Sequence, residues 1–223
     1  MGETLTLTAE DGHTFAAYRA TPAGTPRGGI VVVQEIFGVN QHIRKLADGF
    51  AADGYVAIAP ALFDRVERGY ETGYGPQDIE KGRATRGKLN TDQAMMDVQA
   101  TVNELNKAGL KVGVVGYCFG GTVAWLAATR LKNVAAAVGY YGGGVAAAVD
   151  EKPKAPVMLH FGETDASIPK EDYEKVMKAH PTVPVFIYPA GHGFVCDERG
   201  SYHAESSKQA RERTMEFFRK HVG

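Results

Sequence analysis

Lys111-Val112-Gly113-Val114-Val115-Gly116-Tyr117-Cys118-Phe119-Gly120-Gly121 decides the fold. Its first half, Lys111 to Val115, is apolar and β-branched, as expected of a strand buried on both faces of a parallel sheet. Its second half is a tight turn that opens a helix running from about Gly120 to Arg130. Gly-x-nucleophile-x-Gly between a buried strand and a helix is a nucleophile elbow. Side chains at 116 and 120 would collide with the flanking strand and helix, which explains both glycines. The residue between them is pushed out at the top of the sheet, beside a helix N-terminus. Free N–H groups and a positive dipole there favour a thiolate and a developing oxyanion. That residue is Cys118, where Ser is usual for the motif. A cysteine taken alone would read as a small buried thiol; the flanking glycines turn the reading to catalysis.

Working outward, Thr4 to Thr8 alternates as a half-buried strand, Asp11-Gly12 reads as a turn, and His13 to Arg19 as the returning strand. Gly29-Ile30-Val31-Val32-Val33-Gln34 is a second fully buried strand. Asn40 to Asp53 carries Ile43, Leu46 and Phe50 at helical spacing and stops at Gly54. Tyr55 to Ala59 is a strand. Residues 61 to 90 are charged and glycine-rich and read as an insertion over one end of the sheet, with a helix in Asp78 to Arg86. Asn90 or Thr91 caps the next helix, whose apolar positions are Met95, Val98, Val102 and Leu105. Strands follow at Val134 to Tyr140, Pro156 to Phe161 and Val185 to Tyr188, with helices at Lys170 to Ala179 and His203 to Lys220. Alternating strands and helices predict one α/β domain over residues 1–223, with a mostly parallel sheet, helices on both faces and an N-terminal antiparallel hairpin.

In such sheets chemistry sits at the carboxyl ends of the strands. A nucleophile at an elbow needs a base, the base needs an orienting acid, and in this fold they follow in the order nucleophile, acid, His. Asp165, in Gly162-Glu163-Thr164-Asp165, and His192, in Gly191-His192-Gly193-Phe194, both follow strands in that order. Glu163 is the competing acid, and His160, inside an apolar strand, reads as a core residue. The loop Gln34-Glu35-Ile36-Phe37-Gly38-Val39-Asn40 supplies a second oxyanion N–H from Ile36, the first coming from Phe119. Glu35 enters a buried site, where a lone carboxylate is costly. It either pairs with an Arg for structure or touches the Cys118 thiol and controls its protonation.

Composition narrows the classes. The chain has 223 residues with 44% hydrophobic and 23% charged, which excludes disorder as the dominant state. Net charge is −1, with no electrostatic reason to bind nucleic acid or an anionic membrane. Two cysteines make no disulfide framework, no apolar stretch spans a bilayer, and the first residues do not read as a secretory signal. A cytoplasmic protein, with a monomer favoured, is expected. No metal or cofactor is expected, since no Cys/His cluster has ligand spacing and no phosphate-binding or dinucleotide motif occurs.

Together with Gly139-Tyr140-Tyr141-Gly142, these segments resemble the dienelactone hydrolase family, a branch of the α/β-hydrolases, over nearly the whole chain. The resemblance implies a triad of Cys118, His192 and Asp165, with Glu35 as a substrate-linked trigger that accepts the thiol proton. It implies hydrolysis of 4-carboxymethylenebut-2-en-4-olide to maleylacetate through a thioester. The family pattern has an Arg four residues after the His, binding the substrate carboxylate and pairing with the trigger Glu. Here that position is Cys196. The substrate-binding candidates are Phe37, Arg83, Arg86, Tyr140 and Arg199. Two other readings are a broad-specificity carboxylesterase on the same scaffold and a non-catalytic or redox-sensing α/β protein that uses Cys118 as a switch.

Overall fold

The computed structural model describes residues 2–223. The strands are β1 (Glu3–Thr8), β2 (Thr14–Ala20), β3 (Gly29–Val33), β4 (Val56–Pro60), β5 (Val112–Tyr117), β6 (Ala136–Tyr140), β7 (Val157–Gly162) and β8 (Val185–Tyr188). They form one sheet in the order β1-β2-β4-β3-β5-β6-β7-β8. Pairing is antiparallel for β1 with β2 and β2 with β4, and parallel from β4 through β8. The helices are α1 (Gln41–Ala52), α2 (Pro76–Lys88), α3 (Thr91–Lys107), α4 (Phe119–Arg130), α5 (Lys170–Ala179) and α6 (Ala204–His221). This is the α/β-hydrolase architecture the sequence predicts.

Every residue of β3, β4, β5, β6 and β7 is buried, which is why these strands are continuous apolar runs. Successive side chains show what covers each face. Gly29 faces Leu105 of α3, whereas the next position, Ile30, shares a face with Gly113 and Phe218 of α6. Phe218 also meets Phe50 of α1, ring centroids 6.0 Å apart. So α1 and α6 lie on one face and α3 and α4 on the other.

The insertion holds a short 3-10 turn, Leu62–Arg65, and α2. The helix starts two residues before the predicted Asp78, at Pro76, whose fixed φ suits a first helical turn. The Asp78 carboxylate accepts from the Gly75 N–H at 3.0 Å. Three contacts tie the insertion to the sheet's carboxyl end. Gln34 accepts from the Leu62 N–H (3.0 Å), Arg44 of α1 grips Glu71 with two nitrogens (2.7 and 2.8 Å), and a Cβ on Gly82 would sit 2.6 Å from the Ile36 carbonyl oxygen. The last contact brings α2 down onto the loop after β3.

Candidate active site

The elbow is built by two close approaches. A Cβ on Gly116 would fall on the Gly120 carbonyl oxygen, and one on Gly120 would fall on those of Val33 and Gln34. Between them Cys118 is held at φ 55, a left-handed conformation that costs a non-glycine residue about 1–3 kcal/mol. Its N–H donates to the Tyr140 carbonyl (3.0 Å), and its own carbonyl accepts from Gly121 N–H (2.9 Å). The thiol is half-buried on a cleft of about 390 Å³. Phe119 is the first residue of α4, so its N–H has no acceptor within the helix. Phe119 and Ile36 both line the cleft.

The structure brings Cys118, His192 and Asp165 together. His192 Nδ1 lies 2.6 Å from Asp165 Oδ2, and the other Asp165 oxygen accepts from the Ser167 N–H at 2.8 Å. The Asp165 side chain is fully buried, whereas Glu163 is exposed. Burial would press the His192 proton affinity down, but Asp165 and the facing Cys118 sulfur outweigh it and push the imidazole up to about 10. His160 is a satisfied core residue, bonded to Tyr188 (2.9 Å) and Thr214 (3.1 Å).

Glu35 is buried behind the cleft, its side chain 1% exposed. Arg199 Nη1 stands 3.5 Å from one carboxylate oxygen, and the Tyr74 hydroxyl 3.5 Å from the other. Burial pushes the Glu35 pKa up, while Arg199, then His192 and Tyr74, pull it back down. Arg199 reaches this place because the segment after β8 curls. Cys196 N–H donates to Gly193, Arg199 N–H to Cys196 and Tyr202 N–H to Arg199, three successive turns with bonds of 3.0–3.1 Å. Gly193 adopts φ 76, and a Cβ there would strike the Arg199 guanidinium. Cys196 is thereby turned inward against the Tyr74 hydroxyl, and burial pushes its thiol up to about 11.

Phe37, Arg83, Arg86 and Arg199 line the cleft. Arg86 lies over the Phe119 ring, 4.4 Å from its centroid, and Arg83 is exposed at the rim. Tyr140 corrects the sequence reading. It lies outside the cleft, because its hydroxyl bonds to the Ala210 carbonyl (3.0 Å) and Thr214 (2.6 Å) on α6. Its neighbour Tyr141, at φ 38, faces His192 instead, ring centroids 5.1 Å apart. Sequence reasoning passed over Tyr141, Tyr74, His42, Ile79 and Ile168. The tyrosine pair is visible in the sequence, but alternation along β6 does not say which ring meets His192. Tyr74 had no signal, since it lies in an irregular stretch.

No helix among the described residues is long and apolar enough to cross a membrane. The sequence model of the dienelactone hydrolase family matches residues 15–222. The chain is 36% identical over 235 residues to a putative carboxymethylenebutenolidase of Synechocystis, covering 96% of this chain and 95% of that protein. It is 35% identical over 231 residues to the carboxymethylenebutenolidase of Pseudomonas putida, with the same coverage. The crystal structure of a putative dienelactone hydrolase from Klebsiella pneumoniae superposes with a TM-score of 0.85, at 31% identity over 98% of each chain. An elbow, a sheet order and a matched length of this kind leave one assignment: the chain belongs to the dienelactone hydrolase family and is a hydrolase.

Proposed function

We propose that this protein opens an anionic lactone of the dienelactone type through Cys118, His192 and Asp165. The observation that carries the reading is one imidazole bonded to a buried carboxylate at 2.6 Å and facing a thiol at a left-handed elbow. The lactone carbonyl oxygen sits at the N–H groups of Phe119 and Ile36. Its carboxylate meets Arg199, with Arg86 and Arg83 on the same cleft. A substrate carboxylate competes with Glu35 for the Arg199 guanidinium. Once Arg199 turns to the substrate, Glu35 keeps the burial that raises its proton affinity and loses the charge that lowers it. It then takes the thiol proton, directly or through His192, and Cys118 attacks as a thiolate.

Attack forms a C–S bond, and ring opening breaks the C–O bond and expels an enolate, a good leaving group. Water, deprotonated by His192 or by the enolate, then hydrolyses the thioester, and Asp165 holds the imidazole tautomer. A thiolate leaves more readily than an amine, so amides are poor substrates. The relatives named carboxymethylenebutenolidase support this substrate class.

The apolar wall of Ile36, Phe37, Ile79, Phe119 and Ile168 favours a second reading, a carboxylesterase for neutral esters. Comparing kcat/KM for the anionic dienelactone and for neutral aryl esters decides between them. Preference for the dienelactone supports the first reading, and preference for neutral esters replaces it with the second. Undiminished hydrolysis by Cys118→Ala removes both.

A further inference from the structure

Behind the cleft, three metal-ligating side chains converge from three separate segments. Glu35 follows β3, His42 sits in the first turn of α1, and Cys196 lies in the curled segment after β8. One ligand atom from each lies within 4.8 Å of the others, and all three residues are buried, at 0, 3 and 0% exposure. His42 Nε2 is buried without a hydrogen-bond partner, and Glu35 Oε1, though 3.5 Å from Arg199 Nη1, accepts no hydrogen bond. Such orphans are rare in folded proteins and call for an explanation.

We propose that Glu35, His42 and Cys196 bind a thiophilic divalent cation of the zinc class, and that the bound cation stops turnover by occupying Glu35. The donor set of one thiolate, one imidazole and one carboxylate suits zinc, cobalt or cadmium and not magnesium or calcium. Tetrahedral zinc places such donors about 3.3–3.6 Å apart, so each pair closes by at most about 1.5 Å. The Asp197 carboxylate stands 3.8 Å from the other nitrogen of His42. Metal-bound histidines characteristically find a carboxylate there. The Tyr74 hydroxyl, against Cys196 and 3.5 Å from Glu35, is a further oxygen beside these ligands for a fourth position. Cys196 binds as the thiolate and its proton leaves to the buffer. Cys118 and His192 make no comparable site, because among the described residues only Glu35, His42 and Cys196 bring three such ligand atoms together. The cation would neutralise Glu35 as Arg199 does, but unlike Arg199 it does not leave when substrate arrives. The binding claim stands on geometry alone, whereas the inhibitory claim rests on the trigger role proposed for Glu35.

Cobalt(II) titration of Cys118→Ala, which lacks the other thiol, tests the site. One cobalt per chain should bind, with a thiolate-to-cobalt charge-transfer band in the near ultraviolet and tetrahedral visible absorption. The band should vanish in Cys118→Ala/Cys196→Ser. In Cys118→Ala/His42→Gln the affinity should fall at least about tenfold, the lower end of what losing even an outer-shell partner does. No band in Cys118→Ala, or a band that survives without Cys196, overturns the site. In the wild type, zinc should lower ester turnover. Cys196→Ser, scored against its own metal-free rate, should need at least about tenfold more zinc for the same loss. Cobalt binding with turnover untouched by zinc overturns the inhibitory half and the trigger role of Glu35, and leaves the site standing.

Discussion

Replacing Asp165 by Asn removes one charge and leaves the shape of the site almost unchanged. The Asn amide has one acceptor and one donor end. The Ser167 N–H, 2.8 Å from Asp165 Oδ1, claims the acceptor end. The amide NH2 therefore takes the place of Oδ2, 2.6 Å from His192 Nδ1. Two donors cannot face each other there, so Nδ1 gives up its hydrogen and Nε2 carries it. The imidazole then points an N–H at Cys118 and cannot accept the thiol proton. Flipping the amide restores His192 only by opposing the Ser167 N–H. The His192 imidazole rises from 6.5 to about 10, net of burial. At 1.36 kcal/mol per unit this is about 5 kcal/mol, shared between Asp165 and Cys118. Loss of the Asp165 share, about 3–5 kcal/mol once the wrong tautomer is added, predicts a fall in kcat/KM of two to four powers of ten, roughly. The assay is aryl-ester hydrolysis by Asp165→Asn from pH 6 to 10, roughly the His192 range, with the melting temperature as a check on folding. A folded Asp165→Asn within about threefold of wild type would refute the orienting role of Asp165. Exposed Glu163 offers no substitute.

Arg199→Leu leaves Glu35 buried without its cation. We expect kcat/KM for the anionic dienelactone to fall about 30-fold or more while neutral aryl esters change less than about threefold, and equal losses on both would contradict a carboxylate-binding role. Gly120→Ala places a methyl on two backbone oxygens that have no room to give, and should cost about 2–3 kcal/mol or more in denaturant unfolding. Gly87→Ala, on α2 with open space around it, should instead stabilise by about 0.5–1 kcal/mol, and the same change in both variants would show that packing at the elbow is not the cause. His160 is depressed from 6.5 to about 3 because burial penalises its charged form, so its stabilising contribution is complete above about pH 6.5 and is lost as pH falls toward 3. Between pH 7 and 5 that is about 2 kcal/mol of unfolding free energy, and His160→Gln should lose correspondingly less over that interval; an unchanged difference would contradict the assignment.

The sheet was legible because burial on both faces leaves a strand no choice but apolar residues. Val31, Val32 and Val33, or Val112 to Val115, carry that constraint in every position. The elbow was legible for a different reason. Gly116 and Gly120 are fixed by backbone contacts within one short segment, so the cause and its trace lie side by side. Helix α2 was only partly legible, since it buries Gly82 and Thr85 alone and so shows no apolar stripe. What marks its start is Pro76 and the Asp78 carboxylate on Gly75, which are local signals of another kind. Tyr74 left no trace because everything it touches is remote in sequence: Asn40 at 3.0 Å, Glu35 at 3.5 Å and the Cys196 sulfur.

Position 196 shows where reasoning by position alone gives out. The family pattern puts a guanidinium four residues after the His, and this chain has a thiol there, which reads as a lost charge. Three successive turns instead carry the backbone round, so that position 199 faces the cleft and position 196 faces inward. The electrostatic requirement belongs to a point in space, beside a buried carboxylate whose burial raises its pKa unless a cation stands near. Any residue the curl delivers to that point can meet it, and Arg199 does so at 3.5 Å. The position released from that duty is then free to carry a thiol, and it places that sulfur against the same carboxylate. The charge that answers the substrate and the sulfur that can hold a metal thus both reach Glu35 through one run of turns. A substitution that straightens the run, such as Gly193→Val at φ 76, should disturb both at once.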